Sequence, residues 1–178
     1  MDRRDTLKLA GGAGVTLLTA ALTPTLVLAQ RSEDHGRLGE AEERHIRETL
    51  ELGAVSLESS RLAKERAREL WVKKFAEYEA AEQETLGELL RSMGAKLSQE
   101  ARGDRQQIRQ DLRVSSGREF EDAYLEVQAK GHGELLRIQE DYIKSGRNEA
   151  HLALAKLMRG QVREHIDMIR TIRQQLKA

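Results

Sequence analysis

The chain is poor in the residues that β-rich and disulfide-linked proteins need. It has no cysteine and one proline, and aromatic side chains make up 3% of its 178 residues. The absence of cysteine excludes disulfides, thiolate catalysis, cysteine-based metal sites and a lipid-modified cysteine at the N-terminus. The low aromatic and proline content argues against a sandwich or barrel. Charged residues, by contrast, make up 34% of the chain, which is typical of a helical bundle.

The N-terminal segment, residues 1–29, has the pattern of a secretory signal peptide. A short charged region containing Arg3 and Arg4 precedes an uncharged stretch from Leu9 to Ala29. The small residue at its end suits signal peptidase, so we expect cleavage after Ala29 and a periplasmic protein. A single membrane anchor is the alternative, because about 20 uncharged residues can span a bilayer. The glycines and threonines of this stretch favour cleavage.

The export route is less clearly specified than export itself. The arginine pair followed by Leu7 and Lys8 resembles the twin-arginine motif. Asp2 and Thr6 replace the serine or threonine and the aromatic residue that the motif usually carries. The general secretory route therefore stays open.

The mature chain that begins at Gln30 is nearly neutral. Of the 30 basic and 30 acidic residues, three basic and two acidic ones precede Gln30, which leaves a net charge of −1. This balance gives no support for nucleic-acid binding. Residues 30–39 are polar and are predicted to form a flexible leader ahead of the folded domain, residues 40–178.

Four amphipathic helical segments make up the folded domain. Apolar residues recur every three or four positions in segments 40–69, 71–93, 116–145 and 148–176. Gly94 is expected to end the second helix, while Ser116, in a capping box, and Asn148 are expected to cap the third and fourth. The irregular connection 95–115 contains a predicted short crossing helix at 105–112. These features predict an all-α protein, an antiparallel four-helix bundle with a short crossing helix between the second and third helices.

Polar residues interrupt the apolar face of every helix at similar depth. They are Ser56 and Ser60 on the first helix, Glu79 and Glu82 on the second, Gln128 and His132 on the third, and Gln161 and His165 on the fourth. Projection at 100° per residue places Glu82 inside the apolar arc and Glu79 near its edge. A buried carboxylate must be paired or coordinated, because an isolated charge in a core costs several kcal/mol.

This polar layer allows three interpretations. The leading one is a structural hydrogen-bonded layer in a protein without enzymatic activity or cofactor. The second is a site for iron, manganese or zinc formed by Glu82, His132 and His165, and the third is acid–base catalysis. The chain lacks the Glu-x-x-His pattern of ferritin-like di-iron proteins, which favours the structural layer.

The remaining polar and aromatic positions are assigned as follows. Phe75, Phe120 and Tyr124 are predicted to be buried, and Trp71 and Tyr78 are placed on the same apolar face of the second helix as Phe75. His35, His45 and His151 are interpreted as surface residues. A basic ridge on the last helix is either a solvated face or a surface for an anionic partner: Lys156, Arg159, Arg163, Arg170, Arg173 and Lys177.

Several short motifs between Gly53 and Gln174 resemble a bacterial family of exported domains of unknown function, number four-one-four-two. They are Leu62-Ala63 with Ala67, Val72-Lys73-x-Phe75-Ala76, Ser116-Gly117-x-x-Phe120-Glu121-x-x-Tyr124, His132 and Glu164-His165. The resemblance implies a ferritin-like four-helix bundle in the periplasm or outer membrane. It implies no established activity.

The chain departs from the family pattern at possible metal ligands. The family usually has Asp-His in its second helix, where this chain has Glu82-Gln83, and again in its third, where it has Gly131-His132. A first-helix glutamate of the family falls at Ser56. We therefore expect an exported binding or structural module with an unidentified envelope partner, and a metal-binding protein or oxidoreductase is the alternative.

Overall fold

A computed structural model describes residues 38–95 and 103–177. Within these ranges the chain forms five α-helices and no strand: α1 Glu40–Arg66, α2 Leu70–Ser92, α3 Gly103–Val114, α4 Gly117–Ser145 and α5 Glu149–Gln175. The predicted all-α bundle is confirmed. The predicted signal peptide, its cleavage site, most of the leader and His35 lie outside the described residues.

The four long helices form two antiparallel hairpins that pack through α1 and α4. Helices α1 and α2 pack closely against each other, as do α4 and α5. The hairpins meet with α1 antiparallel to α4, since Glu42 contacts Tyr142 at one end and Ser60 contacts Tyr124 further along. Helices α2 and α5 pack against each other much less than α1 and α2, α4 and α5, or α1 and α4 do, so this edge of the bundle is open.

The helix ends follow local sequence signals, with one exception. Gly94 has a φ of 97°, a left-handed conformation that glycine adopts easily, and it follows the end of α2. The Asn148 side chain caps α5 by accepting a hydrogen bond from the backbone N–H of His151 at 3.1 Å. Ser116 occupies the cap position of α4, but its side chain makes no capping hydrogen bond, so this part of the prediction is wrong.

A carboxylate from the opposite hairpin holds each hairpin turn. Glu121 of α4 accepts hydrogen bonds from the backbone N–H groups of Arg68 and Glu69 at 2.7 and 2.8 Å. At the other end of the bundle, Glu42 of α1 accepts a hydrogen bond from the Tyr142 hydroxyl at 2.8 Å and faces the α4–α5 turn. These bonds satisfy backbone donors that a helix terminus leaves free, and they join the hairpins.

The apolar core fills the end of the bundle where α1 meets α2. Phe75, Phe120 and Tyr124 are buried there, as predicted. Trp71 and Tyr78 are 61% and 58% exposed, so their placement on the same face of the helix as Phe75 is wrong. The two large rings shifted the apolar face that the helical projection assigned to α2. The observed buried face consists of small and apolar residues and one carboxylate: Val72, Phe75, Ala76, Glu79, Ala80, Gly87 and Leu90.

The short helix α3 lies where the sequence predicted one and extends the core. Ile108 and Leu112 pack against the apolar cluster. Arg66 donates hydrogen bonds to the carbonyl oxygens of Leu112 and Ser115 at 2.8 and 2.6 Å, which ties the end of α3 to α1. The crossing angle of α3 stays a prediction. Among the described helices, none combines the length and apolar character needed to cross a membrane.

Candidate metal site

One carboxylate and two imidazoles converge in the middle of the bundle. Glu79 comes from α2, His132 from α4 and His165 from α5. The Nδ1 atom of His165 lies 2.8 Å from Glu79 Oε2 and 3.1 Å from His132 Nε2. The third distance, from His132 Nε2 to Glu79 Oε2, is 3.3 Å. Three different helices therefore place three potential ligand atoms around one point.

The outer nitrogen of each imidazole has its own partner. His132 Nδ1 lies 2.8 Å from the carbonyl oxygen of Gln128, an acceptor, so this nitrogen carries the hydrogen. His165 Nε2 lies 3.1 Å from Glu82 Oε2, which is likewise an acceptor. With these outer positions protonated, the inner nitrogen of each ring faces the other ring and Glu79. An outer partner of this kind is a regular feature of metal-binding histidines.

The two oxygens of Glu79 differ in their surroundings. Oε1 accepts hydrogen bonds from the Ser56 hydroxyl at 2.5 Å and from the Gln83 amide at 3.0 Å. Gln83 in turn lies close to Gly53. A Cβ atom added at Gly53 would stand 2.5 Å from Oε1 of Gln83. Oε2 is fully buried and faces both imidazoles, 2.8 Å from His165 Nδ1 and 3.3 Å from His132 Nε2. The inward oxygen thus depends on the two imidazoles for its partner.

These contacts determine the charges of the site. Burial alone would raise the pKa of Glu79, but the contacts with His132 and His165 lower it, so this group is a carboxylate at neutral pH. Burial would also favour a neutral ring at His165, yet the contacts with Glu79 and Glu82 raise its pKa to about 9. Three inward acceptors require a cation between them. In the absence of a metal ion, a proton on His165 supplies it.

The geometry of the three atoms suits a transition-metal ion. Ligands about 2.1 Å from an ion, at angles between octahedral and tetrahedral, are about 3.0–3.4 Å apart. The observed separations of 2.8, 3.1 and 3.3 Å need only a slight adjustment to meet this range. Two histidines and a carboxylate on one side of an ion are also a known set of ligands for iron, with other positions left open.

A groove between α2 and α5 leads to this site. Its volume is about 310 Å³, and both His132 and His165 line it. Most of its wall is apolar, with Leu86 and Leu89 on α2 and Leu154, Leu157 and Val162 on α5. The groove occupies the open edge of the bundle and ends at the two imidazoles, of which His165 is 7% and His132 1% exposed.

The structure reassigns the two glutamates of the predicted site. Glu79 is completely buried, whereas the Glu82 side chain is 35% exposed and lies behind His165. Placing Glu82 at the centre of the apolar face was therefore wrong, and Glu79 is the carboxylate that joins the two histidines. Ala76 and Ala80 flank Glu79 and are buried with it; such small neighbours were the available signal. The metal site itself stays a prediction.

A second polar cluster lies at the end of the bundle near the α4–α5 turn. His45 and His151 are 2% and 1% exposed, so their assignment to the surface was wrong. His45 Nε2 contacts the Gln139 side chain at 2.7 Å, and its ring stacks on Tyr142. Burial lowers the pKa of both histidines, so both are neutral at pH 7. Within the described part of the chain, this cluster does not form a second group of three possible metal ligands.

Comparison with known proteins finds one match. The profile of a family described as a domain of unknown function (DUF4142) matches residues 27–172. No curated protein and no solved structure matches the chain.

Proposed function

Because the chain belongs to the DUF4142 family, whose description assigns no activity, we propose a function from its own residues. The protein is an exported helical bundle that binds one divalent transition-metal ion. Glu79, His132 and His165 are the proposed ligands, and iron, manganese or zinc is the proposed ion. The role is binding rather than catalysis. Metal binding is the alternative to a structural layer that the sequence left open.

The arrangement of the imidazole nitrogens carries this proposal. Each ring binds an acceptor through its outer nitrogen and directs the inner one at Glu79 Oε2. In a purely structural layer, a proton on His165 can pair with Glu79 Oε2 or with His132 Nε2 but not with both, whereas one ion can bind all three inner atoms. A structural layer also needs no access, whereas a groove reaches both rings. Buried polar groups in native proteins are usually satisfied, and a metal ion satisfies all three here.

Elemental analysis tests the ligand set. The purified mature protein, loaded with zinc and dialysed, is expected to retain about one ion per chain. His132→Gln is expected to retain at most a tenth of that amount, because a transition ion bound by two protein ligands is held weakly. His45→Gln, which alters a buried histidine at the other end of the bundle, should retain zinc like the wild type. Absence of zinc from the wild type, or equal loss from both variants, contradicts the proposal.

Export to the cell envelope is the second part of the proposal. It is supported by the arginine pair and the uncharged stretch that ends at Ala29. A twin-arginine route transports folded proteins, which suits a chain that acquires its ion before export.

Replacing Arg3 and Arg4 together by lysine is expected to reduce the periplasmic form at least tenfold. The lysines keep the positive charge of the segment, so the general secretory route would still accept it, while the twin-arginine route requires the arginines. N-terminal sequencing of the wild-type periplasmic protein should give Gln30 as the first residue. Unchanged export of the double variant would indicate the general route, and an intact N-terminus would contradict cleavage.

A further inference from the structure

The protein provides fewer ligands than a transition-metal ion takes. Glu79, His132 and His165 form the only such group of three among the described residues. The carboxylate nearest to them, that of Glu82, lies on the outer nitrogen of His165 rather than at the inner point. Transition ions take four to six ligands, so at least one position is left for water or another molecule.

The groove between α2 and α5 ends at this position. His132 and His165 are part of its wall, so a molecule in the groove lies against the two rings that hold the ion. A cavity of about 310 Å³ is at the lower end of the range for small-molecule sites, about 300–1,000 Å³. The groove therefore has room for a compact molecule with one ligand atom.

The charges around the ion select against an anionic ligand. A divalent ion is already balanced by the carboxylates of Glu79 and Glu82, which both lie next to His165. No lysine or arginine is among the described residues that line the groove. An added carboxylate would give the site a net negative charge beside apolar walls, where charge is poorly solvated.

We propose that the groove binds a neutral, largely apolar molecule whose single aromatic nitrogen completes the coordination of the ion. This inference rests on the proposed metal site and adds the class of its ligand. A heterocyclic nitrogen of the imidazole type suits iron and zinc, and it binds the ion in its uncharged form. Its apolar body packs against Leu86, Leu89, Leu154 and Val162.

The test uses protein loaded with cobalt(II), whose visible spectrum reports the number and kind of its ligands. Cobalt is added first and its stoichiometry measured, then 4-phenylimidazole, imidazole or octanoate is titrated at pH 7.5. We expect 4-phenylimidazole to change the spectrum with a Kd at least tenfold below those of imidazole and octanoate. Imidazole lacks the apolar body, and octanoate carries the wrong charge.

Two variants separate the groove from the ion. Gln161→Phe fills the groove one turn from His165 and should weaken 4-phenylimidazole binding at least tenfold without releasing cobalt. Lys156→Phe places the same ring on the exposed side of α5 and should leave the Kd unchanged. Glu82→Gln removes one negative charge, so octanoate should bind about tenfold more tightly than it does to the wild type.

The outcomes distinguish the two proposals. If cobalt is not retained, the metal site fails and the ligand proposal fails with it. If cobalt is retained but none of the three compounds alters its spectrum, or if octanoate binds as tightly as 4-phenylimidazole, the metal site stands and the ligand proposal is wrong. An equal effect of Gln161→Phe and Lys156→Phe would likewise overturn it.

Discussion

His165→Leu is expected to destabilise the metal-free protein by about 3–5 kcal/mol, because it leaves the Glu79 carboxylate buried without its charged partner. Glu79 has no exposed surface, so water cannot replace the lost imidazolium. The change conserves side-chain volume closely enough that packing contributes little. Urea unfolding in the presence of a chelator measures the difference in free energy.

The double variant Glu79→Leu with His165→Leu should cost far less than the two single changes added together. In the double variant no charge remains unpaired at the centre, and the space is filled by apolar side chains, which often replace a buried ion pair without loss of stability. Glu82→Leu is the matched control and should cost less than about 1 kcal/mol, since the Glu82 side chain is partly exposed. Additive energies for Glu79 and His165 would mean that the two side chains do not interact.

Periodicity was sufficient to predict the bundle. Four segments with apolar residues every three or four positions gave four long helices whose observed ends lie within a few residues of the expected ones. Gly94 and Asn148 also marked helix ends correctly, because their conformational and hydrogen-bonding preferences are local. Local signals of this kind do not depend on how the helices pack together.

The carboxylate of the site could not be chosen by the same argument. Glu79 and Glu82 are three residues apart on α2 and both fall near its apolar arc. Projection treats the helix as isolated, whereas burial depends on its neighbours. Close packing of α1 covers Glu79, while the open edge between α2 and α5 leaves Glu82 partly exposed. His132 and His165 were identified because they lie on the apolar faces of their helices, and α4 and α5 pack closely together.

The assignment of His45 and His151 to the surface was wrong because both lie near the start of a helix. His45 and His151 lie within one or two turns of the start of α1 and α5, where a single helix is usually solvated. In the bundle both starts lie beside the end of α4, and Glu42 of α1 binds the α4–α5 turn. Each helix start is thereby covered by the other hairpin. Such mutual burial follows from the arrangement of the hairpins and from no single segment.

The affinity for zinc is expected to rise about tenfold for each pH unit between pH 6.5 and pH 8.5. The contacts with Glu79 and Glu82 raise the pKa of His165 to about 9, so this ring is protonated over that range and must release a proton before it can bind the ion. Two pH units correspond to about 2.7 kcal/mol of binding free energy. Competition with a chromophoric chelator at each pH measures the affinity.

Proton and metal ion thus compete for the same position, so pH also changes the stability of the metal-free fold. A raised pKa means that the folded metal-free protein holds the His165 proton more tightly than the unfolded chain does. The stabilisation is complete below pH 6.5 and is lost as the pH rises through about 9. Raising the pH should therefore weaken the metal-free fold while strengthening zinc binding, and one proton should be released per ion at pH 7.5. A zinc affinity that does not change between pH 6.5 and pH 8.5 would show that the ion binds away from His165.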